Sequence, residues 1–167
     1  MDVESEAFPC HFDEAARAAS DVIELLEVLW ERGRGTVPPA PVSAAQVRVL
    51  YVLDREEGIN LRTLGEALGS TPSSVSRLCD RLQAVGLVER APSPVSRREV
   101  ELRLTGRGRA YLRELRDLRE KSLRTIVAAM PPASREALAE GLRKFRSVAD
   151  EAVPWCGRRA EGGVRSA

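Results

Sequence analysis

Hydrophobic residues recur at helical spacing in two short neighbouring segments in the middle of the chain. Asn60 is suited to cap the start of the first segment and Gly69 to end it, because an asparagine oxygen accepts amide hydrogen bonds and glycine tolerates a left-handed backbone. In the second segment, Thr71 is a cap followed by Pro72 at the first helical position. The apolar positions of the pair are Leu61, Leu64, Leu68, Val75, Leu78, Cys79, Leu82 and Val85. The pattern predicts a helix-turn-helix.

The polar face of the second helix carries short hydroxyls and long guanidinium groups. Its residues are Ser73, Ser74, Ser76, Arg77 and Arg81, with Thr71 at the helix start. Because such groups hydrogen-bond base edges and phosphates, this face is predicted to bind double-stranded DNA. The competing interpretation is a pair of ordinary bundle helices with a solvated polar face.

A hairpin is predicted directly after the helix pair. Residues 87–91 are a short strand candidate, and Val100–Leu104 alternates apolar and polar side chains. The turn between them contains proline and serine, and its tip carries Arg97 and Arg98 side by side. Arginine on a narrow ribbon suits the minor groove, where negative potential is concentrated. The segment 43–105 is therefore predicted to be a winged helix-turn-helix, although a merely solvated hairpin would carry the same arginines.

Long helical patterns flank this segment. Residues 12–32 and 106–152 carry apolar side chains at helical spacing, and Thr105 is the predicted cap of the second stretch. A proline pair after Met130 breaks that stretch, and Ser134 is the expected cap of the last helix. These helices have more apolar surface than a small wing can cover. They are predicted to form a dimerisation frame, and packing within one chain is the alternative.

Together these segments give a mainly α fold class with a small two- or three-stranded wing. We expect one domain over residues 1–167, with a linker at 33–41 and a flexible tail at 154–167, where apolar periodicity is missing.

Composition and charge agree with a DNA-binding protein. No apolar run in the 167 residues approaches the ~20 residues of a membrane span, and the acidic N-terminus is unlike a signal peptide, so a cytoplasmic location without membrane contact is expected. The net charge is only +1, but residues 70–109 hold eight basic and four acidic side chains, whereas residues 1–40 hold three and nine. This distribution directs the winged segment toward DNA.

Several linked motifs resemble those of the MarR family of winged-helix transcription regulators. The family's second, third and recognition helices are matched by SAAQVRVL at 43–50, LGEAL at 64–68 and SSVSRLCDRL at 73–82. The two ends of its wing are matched by GLVER at 86–90 and LTGRG at 104–108. The order and spacing of these strings make the resemblance specific.

The resemblance implies a homodimeric regulator, of the repressor type, that binds a pseudo-palindromic operator and is released or modulated by a small ligand. It places the ligand in a crevice between the dimerisation frame and the DNA-reading segment. Trp30, Arg48 and Tyr51 are the residues expected to contribute there.

The wing departs from the family pattern at its tip. The family usually has an aspartate two residues before the arginine matched by Arg98, and this chain has Ser96 there. An earlier position that is commonly acidic is Ser93. We expect the tip arginines to be more mobile than usual, or to be held by Glu99 or Glu101.

The sequence offers little for catalysis or metal binding. It contains one histidine, His11, so neither an enzyme activity nor a metal or other cofactor is expected. Cys79 lies on the apolar stripe and is predicted to be a buried, inert thiol, and structural disulfides are not expected in a cytoplasmic chain. Two alternatives stay open: a redox-sensing regulator acting through Cys10, and a winged-helix protein-interaction module without a DNA target. A steep salt dependence of DNA binding would exclude the interaction module.

Overall fold

The computed structural model describes residues 8–34, 42–93 and 100–152, which form six helices and one two-stranded antiparallel sheet. The elements in chain order are α1 (Phe8–Arg34), α2 (Ala44–Arg55), α3 (Leu61–Leu68), α4 (Pro72–Ala84), β1 (Val88–Pro92), β2 (Val100–Leu104), α5 (Gly106–Ala128) and α6 (Pro132–Ala152). This is the mainly α fold with a small wing that the sequence predicts. We call α2, α3, α4 and the hairpin the reading head, and α1, α5 and α6 the frame.

The helix-turn-helix begins and ends at the predicted capping residues. The Oδ1 atom of Asn60 accepts a 2.9 Å hydrogen bond from the amide of Thr63 at the start of α3. Gly69 ends that helix in the left-handed conformation, with a φ of 58°. Thr71 caps α4, and Pro72 is its first residue. Because the caps bind amides that a helix start leaves unpaired, two helices fit within a short stretch of chain.

The wing is a hairpin in which β1 and β2 pair from Val88 opposite Leu104 to Pro92 opposite Val100. Ile59 adds an isolated bridge to Leu102, which attaches the turn before α3 to the edge of the sheet. β1 begins one residue later than predicted. The reason is that the amide of residue 87 donates to the carbonyl of residue 82 at 2.9 Å and belongs to the end of α4.

The hydrophobic core lies between the reading head and the first half of α5. Its fully buried side chains include Val49, Leu50, Leu53, Leu64, Val75, Leu82, Leu87, Leu102, Leu104, Leu112 and Leu115. Thr105 caps α5 as predicted, since its hydroxyl oxygen accepts from the Gly108 amide at 3.0 Å. The same hydroxyl donates to the Gly86 carbonyl at 2.7 Å. The start of α5 is therefore fixed on the turn that follows α4.

Other predicted boundaries were wrong as well, including the start of α1, which lies at Phe8 and not at residue 12. Gly33 and Arg34 belong to α1 and not to the linker, whose remaining residues 35–41 lie outside the described ranges. The last helix begins at Pro132 and not after Ser134. Proline presets a helical φ and its missing amide hydrogen is not needed in the first turn, so it starts this helix before the serine is reached. The amide of Arg135 accordingly donates to the carbonyl of Pro131 at 3.1 Å.

The frame helices leave many apolar side chains in solvent. Within the described part of the chain, α6 has no buried residue, and Phe145 is 68% exposed. The exposed apolar residues of the two outer helices are Phe12, Val22, Ile23, Leu25, Val28, Leu138, Leu142, Phe145 and Val148. Packing against the described residues does not cover these faces.

None of the helices in the described ranges is both long and apolar enough to cross a membrane.

Candidate DNA interface and ligand cleft

The recognition helix α4 presents its predicted polar face to solvent. Val75, Cys79 and Leu82 point into the core. The predicted DNA-contacting residues Ser73, Ser74, Arg77 and Arg81 are exposed together with Thr71, and Ser76 is half-buried at the margin of the face. Among the described residues neither arginine forms an ion pair. Their donors are therefore available to an acceptor outside the chain.

Hydroxyl groups cluster at the first turn of α4. The Thr71 hydroxyl donates to the Ser74 hydroxyl oxygen at 3.0 Å, and its oxygen accepts from the Ser74 amide at 3.4 Å. The Ser73 hydroxyl lies 3.3 Å from the same oxygen. The unpaired amides and positive end of the helix dipole make such a turn attractive to phosphate oxygens. Thr71 and Ser73 lie at this turn, whereas Arg77 lies one turn further along the helix.

An ion pair that the sequence analysis missed joins the recognition helix to the wing. The Nη2 atom of Arg90 on β1 lies 2.7 Å from Oδ1 of Asp80 on α4. The two residues are separated by ten positions, and no local spacing rule points to such a contact. The pair neutralises the one acidic residue of α4 and connects the helix to the strand.

The wing is described at its base only. The predicted minor-groove residues Arg97 and Arg98, and Ser96 and Glu99 beside them, lie outside the described residues. Of the two acids expected to hold the tip, Glu101 is described. Its carboxylate accepts hydrogen bonds from Ser93 and Arg103.

The three residues expected at the ligand crevice line one cleft between the frame and the reading head. Trp30 from α1 and Arg48 and Tyr51 from α2 surround a cavity of about 410 Å³. Glu27, Ala44, Val47 and Arg119 complete its lining. The cleft therefore has two aromatic walls, two arginines and one carboxylate.

Arg119 is the principal residue of this cleft that the sequence analysis missed. It reaches from α5, stacks on the Trp30 ring with its guanidinium carbon 4.3 Å from the ring centroid, and donates a hydrogen bond to the Tyr51 hydroxyl. The indole Nε1 of Trp30 is buried without a hydrogen-bond partner among the described residues. One donor at the wall of the cleft is thus left for an acceptor.

Below the cleft, further ion pairs link α2 to the frame. Arg116 pairs with Asp54 at 2.6 Å, and Arg109 pairs with Glu57. With Arg119, these arginines lie on one face of α5 and follow α2 from the cleft to the turn before α3. The reading head is thereby attached to the frame along one polar seam.

The described residues were also compared with the requirements of a metal site and of a reactive cysteine. Within the described ranges no group of three histidine, cysteine, aspartate or glutamate residues is placed to hold a metal ion. Cys79 is buried as predicted, and burial raises the pKa of its thiol to about 11. The side chains of Cys10 and His11 lie outside the described residues.

Comparison with known proteins gives a consistent picture. A family model described as the MarR family matches residues 40–99, which include α2, α3, α4 and β1. The HTH-type transcriptional regulator YfiV of Bacillus subtilis is 28% identical over 120 residues, which cover 70% of this chain and 75% of YfiV. The transcriptional repressor MprA of Escherichia coli is 30% identical over 104 residues, or 61% of this chain and 59% of MprA. Both relatives are named as transcriptional regulators.

The likeness extends to the three-dimensional fold. The crystal structure of RV1404 from Mycobacterium tuberculosis superposes with a TM-score of 0.68 at 30% sequence identity, covering 87% of this chain and 96% of RV1404. The similarity therefore includes the frame helices, which the family model does not reach.

Proposed function

The chain belongs to the MarR family of winged-helix transcriptional regulators, and from this premise we propose that it binds an operator as a homodimer and that a small ligand in the cleft modulates binding. The observation that carries the proposal is the solvent-facing side of α4. There Ser73, Ser74, Arg77 and Arg81 stand exposed beside a wing. MprA is a repressor, and repression is the sign of regulation we propose.

In the proposed complex, α4 lies in the major groove and the wing reaches the flanking minor groove. Arg77 and Ser74 contact base edges, while Thr71, Ser73 and Arg81 contact phosphates and set the register of the helix. Arg97 and Arg98 supply the minor-groove contact of the wing. Because base contacts specify and phosphate contacts position, specificity comes chiefly from the middle of α4.

We propose that the exposed apolar faces of α1 and α6 form the dimer interface. Large side chains such as Phe12 and Phe145, 76% and 68% exposed, cost free energy in water, and a second copy of the chain offers the same apolar faces in return. A two-fold dimer presents two α4 helices to one side of the duplex. The operator should therefore be pseudo-palindromic, with half-sites about one helical turn apart.

For the ligand we propose a small aromatic carboxylate or a similar organic anion. The guanidinium of Arg119 or Arg48 binds a carboxylate with two parallel hydrogen bonds, and the rings of Trp30 and Tyr51 stack on an aromatic body. The free indole donor of Trp30 is an additional contact for a ligand oxygen. The carboxylate of Glu27 also lines the cleft and repels negative charge, so a ligand with one negative charge is favoured over a dianion.

The DNA proposal is tested by sequencing the genomic fragments that the purified protein retains, followed by footprinting and by titration at several salt concentrations. We expect a two-fold protection pattern and an affinity that falls by about 10³-fold or more from low to physiological salt if some six or more phosphates are contacted. Retention of no fragment together with a flat salt dependence would instead identify an interaction module without a DNA target.

The dimer proposal is tested by sedimentation equilibrium of Phe145→Asp, which places a charge in the proposed interface. We expect the variant to be monomeric at concentrations where the wild type is a dimer. Val100→Asp is the matched control, because Val100 is also an exposed apolar residue, at 50%, but lies on the wing. Loss of the dimer in both variants, or in neither, would contradict this interface.

A further inference from the structure

Three polar side chains at the base of the wing are joined by hydrogen bonds through one carboxylate. The Ser93 hydroxyl donates to Oε1 of Glu101 at 2.7 Å, and Nη2 of Arg103 donates to Oε2 at 2.8 Å. The side chain of Glu101 is only 12% exposed and Ser93 is 8% exposed. We call Ser93, Glu101 and Arg103 the wing-base cluster. It connects the end of β1 to two residues of β2 through a single carboxylate.

The turn before α3 is shaped to receive this carboxylate. Gly58 has a φ of +78°, and a Cβ atom there would lie 2.7 Å from Oε2 of Glu101. The Gly58 amide donates to the Leu102 carbonyl at 3.2 Å, and the Leu102 amide donates to the Ile59 carbonyl at 2.8 Å. The base of the hairpin is thus joined to the helix-turn-helix by backbone hydrogen bonds on one edge and by the packed carboxylate beside them.

The carboxylate is ionised at neutral pH. Hydrogen bonds from Arg103 and then from Ser93 lower the pKa of Glu101, and they outweigh the opposing effect of burial. A charged acceptor makes shorter and stronger hydrogen bonds than a neutral one. The bonds to Glu101 therefore restrict the angle between the two strands. Each of the two oxygens of Glu101 accepts a hydrogen bond from a described residue at the base of the hairpin.

We infer that the wing-base cluster positions the wing for flank recognition, with Glu101 as its central positioning residue. The cluster fixes Ser93, the last described residue before the wing tip, relative to β2. Because Arg97 and Arg98 follow Ser93 closely in the sequence, we expect this arrangement to decide whether they meet the minor groove while α4 occupies the major groove. In this chain, which has serine at the two wing positions where the family is commonly acidic, the anchor lies at the base of the hairpin. The inference rests on the proposed DNA-binding function.

The test compares two duplexes that share the retained operator core and differ only in having A·T-rich or G·C-rich flanks. The quantity measured is the ratio of the two dissociation constants, which a general loss of stability leaves unchanged. We expect the wild type to prefer A·T-rich flanks by about 10-fold, because a narrow minor groove attracts arginine. We expect Glu101→Ala to bring the ratio close to one, with Glu101→Gln and Ser93→Ala shifting it less in the same direction.

Glu89→Gln is the matched control, since Glu89 lies opposite Arg103 in the hairpin but is exposed. It removes the same charge, so it should strengthen binding to both duplexes equally and keep the ratio. In an Arg98→Ala background, Glu101→Ala should have no further effect on the ratio, because the residue it positions is gone.

The inference would be overturned by an unchanged ratio in all three cluster variants, or by an equal effect of Glu101→Ala with and without Arg98. A wild type that binds DNA but ignores the flanks would overturn it as well. Failure of the wild type to bind any duplex would instead overturn the proposed function. Should Glu101→Ala not fold, as judged by circular dichroism, the milder Ser93→Ala and Glu101→Gln decide.

Discussion

The guanidinium of Arg119 lies on the face of Trp30, 4.3 Å from the ring centroid. This contact joins α5 to α1, and the hydrogen bond from Arg119 to Tyr51 extends it to α2. Two helices of the frame, α1 and α5, and one helix of the reading head, α2, therefore meet at the guanidinium of Arg119. A ligand that engages this cation acts at the joint between the two parts of the molecule.

We predict that Arg119→Met weakens binding of benzoate, used as the simplest aromatic carboxylate. The substitution keeps an apolar stem over Trp30 but removes the charge, and a hydrogen bond to a charged group contributes about 1.5–3 kcal/mol. Binding is followed by Trp30 fluorescence in a Trp155→Phe background. Arg124→Met is the control, because Arg124 lies on the same helix and pairs with Glu120 away from the cleft. Equal affinities in the three proteins, or no benzoate binding to any, would contradict the proposed cleft.

We predict that Arg77→Ala and Ser74→Ala reduce binding to the operator more than binding to random duplex. A good base contact contributes about 1–3 kcal/mol of discrimination. Arg77→Ala should have a larger effect than Ser74→Ala, because the Ser74 hydroxyl oxygen already accepts a hydrogen bond from Thr71. Arg62→Ala on α3 removes the same charge as Arg77→Ala and serves as the control in parallel titrations. If operator and random duplex lose affinity equally, these residues contact phosphates only.

The parts of the fold that were predictable from sequence depend on local signals. The caps Asn60, Thr71 and Thr105 each satisfy an amide within three residues, so their effect is visible in a short window. Pro132 and Ser134 are two competing signals for the start of the last helix. The serine cap is the weaker of the two, so a prediction based on it places the helix start too late.

The contacts that were missed join residues far apart in sequence. Arg119 is one of several arginines on α5, and its sequence neighbours do not distinguish it, because its partner Tyr51 is 68 positions away. The spacing of Arg109, Arg116 and Arg119 on one helical face is the one available hint. The alternation along β2 gives no sign that Ser93 and Gly58 enclose Glu101, because neither residue lies on that strand.

The buried thiol of Cys79 gives a pH prediction. Its pKa rises from 9.0 to about 11 on folding, so above pH 9 the unfolded chain releases a proton that the folded chain retains. The folded state should therefore lose stability relative to Cys79→Ala as the pH rises from 9 to about 11, by up to roughly 1.4 kcal/mol per pH unit. Urea unfolding of both proteins across this range measures the difference. A constant difference would show that the thiol titrates normally in the folded state.

The missing acid at the wing tip leads to the last prediction, for Ser96→Asp. If the wing-base cluster already orders the hairpin, an aspartate at the tip gains little by pairing with Arg98 and adds a negative charge close to the DNA phosphates. We expect weaker operator binding at two salt concentrations, with the smaller deficit at the higher one, since salt screens the repulsion between exposed charges. Ser96→Asn has nearly the same shape without the charge and should bind like the wild type. Tighter binding by Ser96→Asp at both salt concentrations would instead mean that the wing lacks an anchor at its tip, and the base alone would not account for its order.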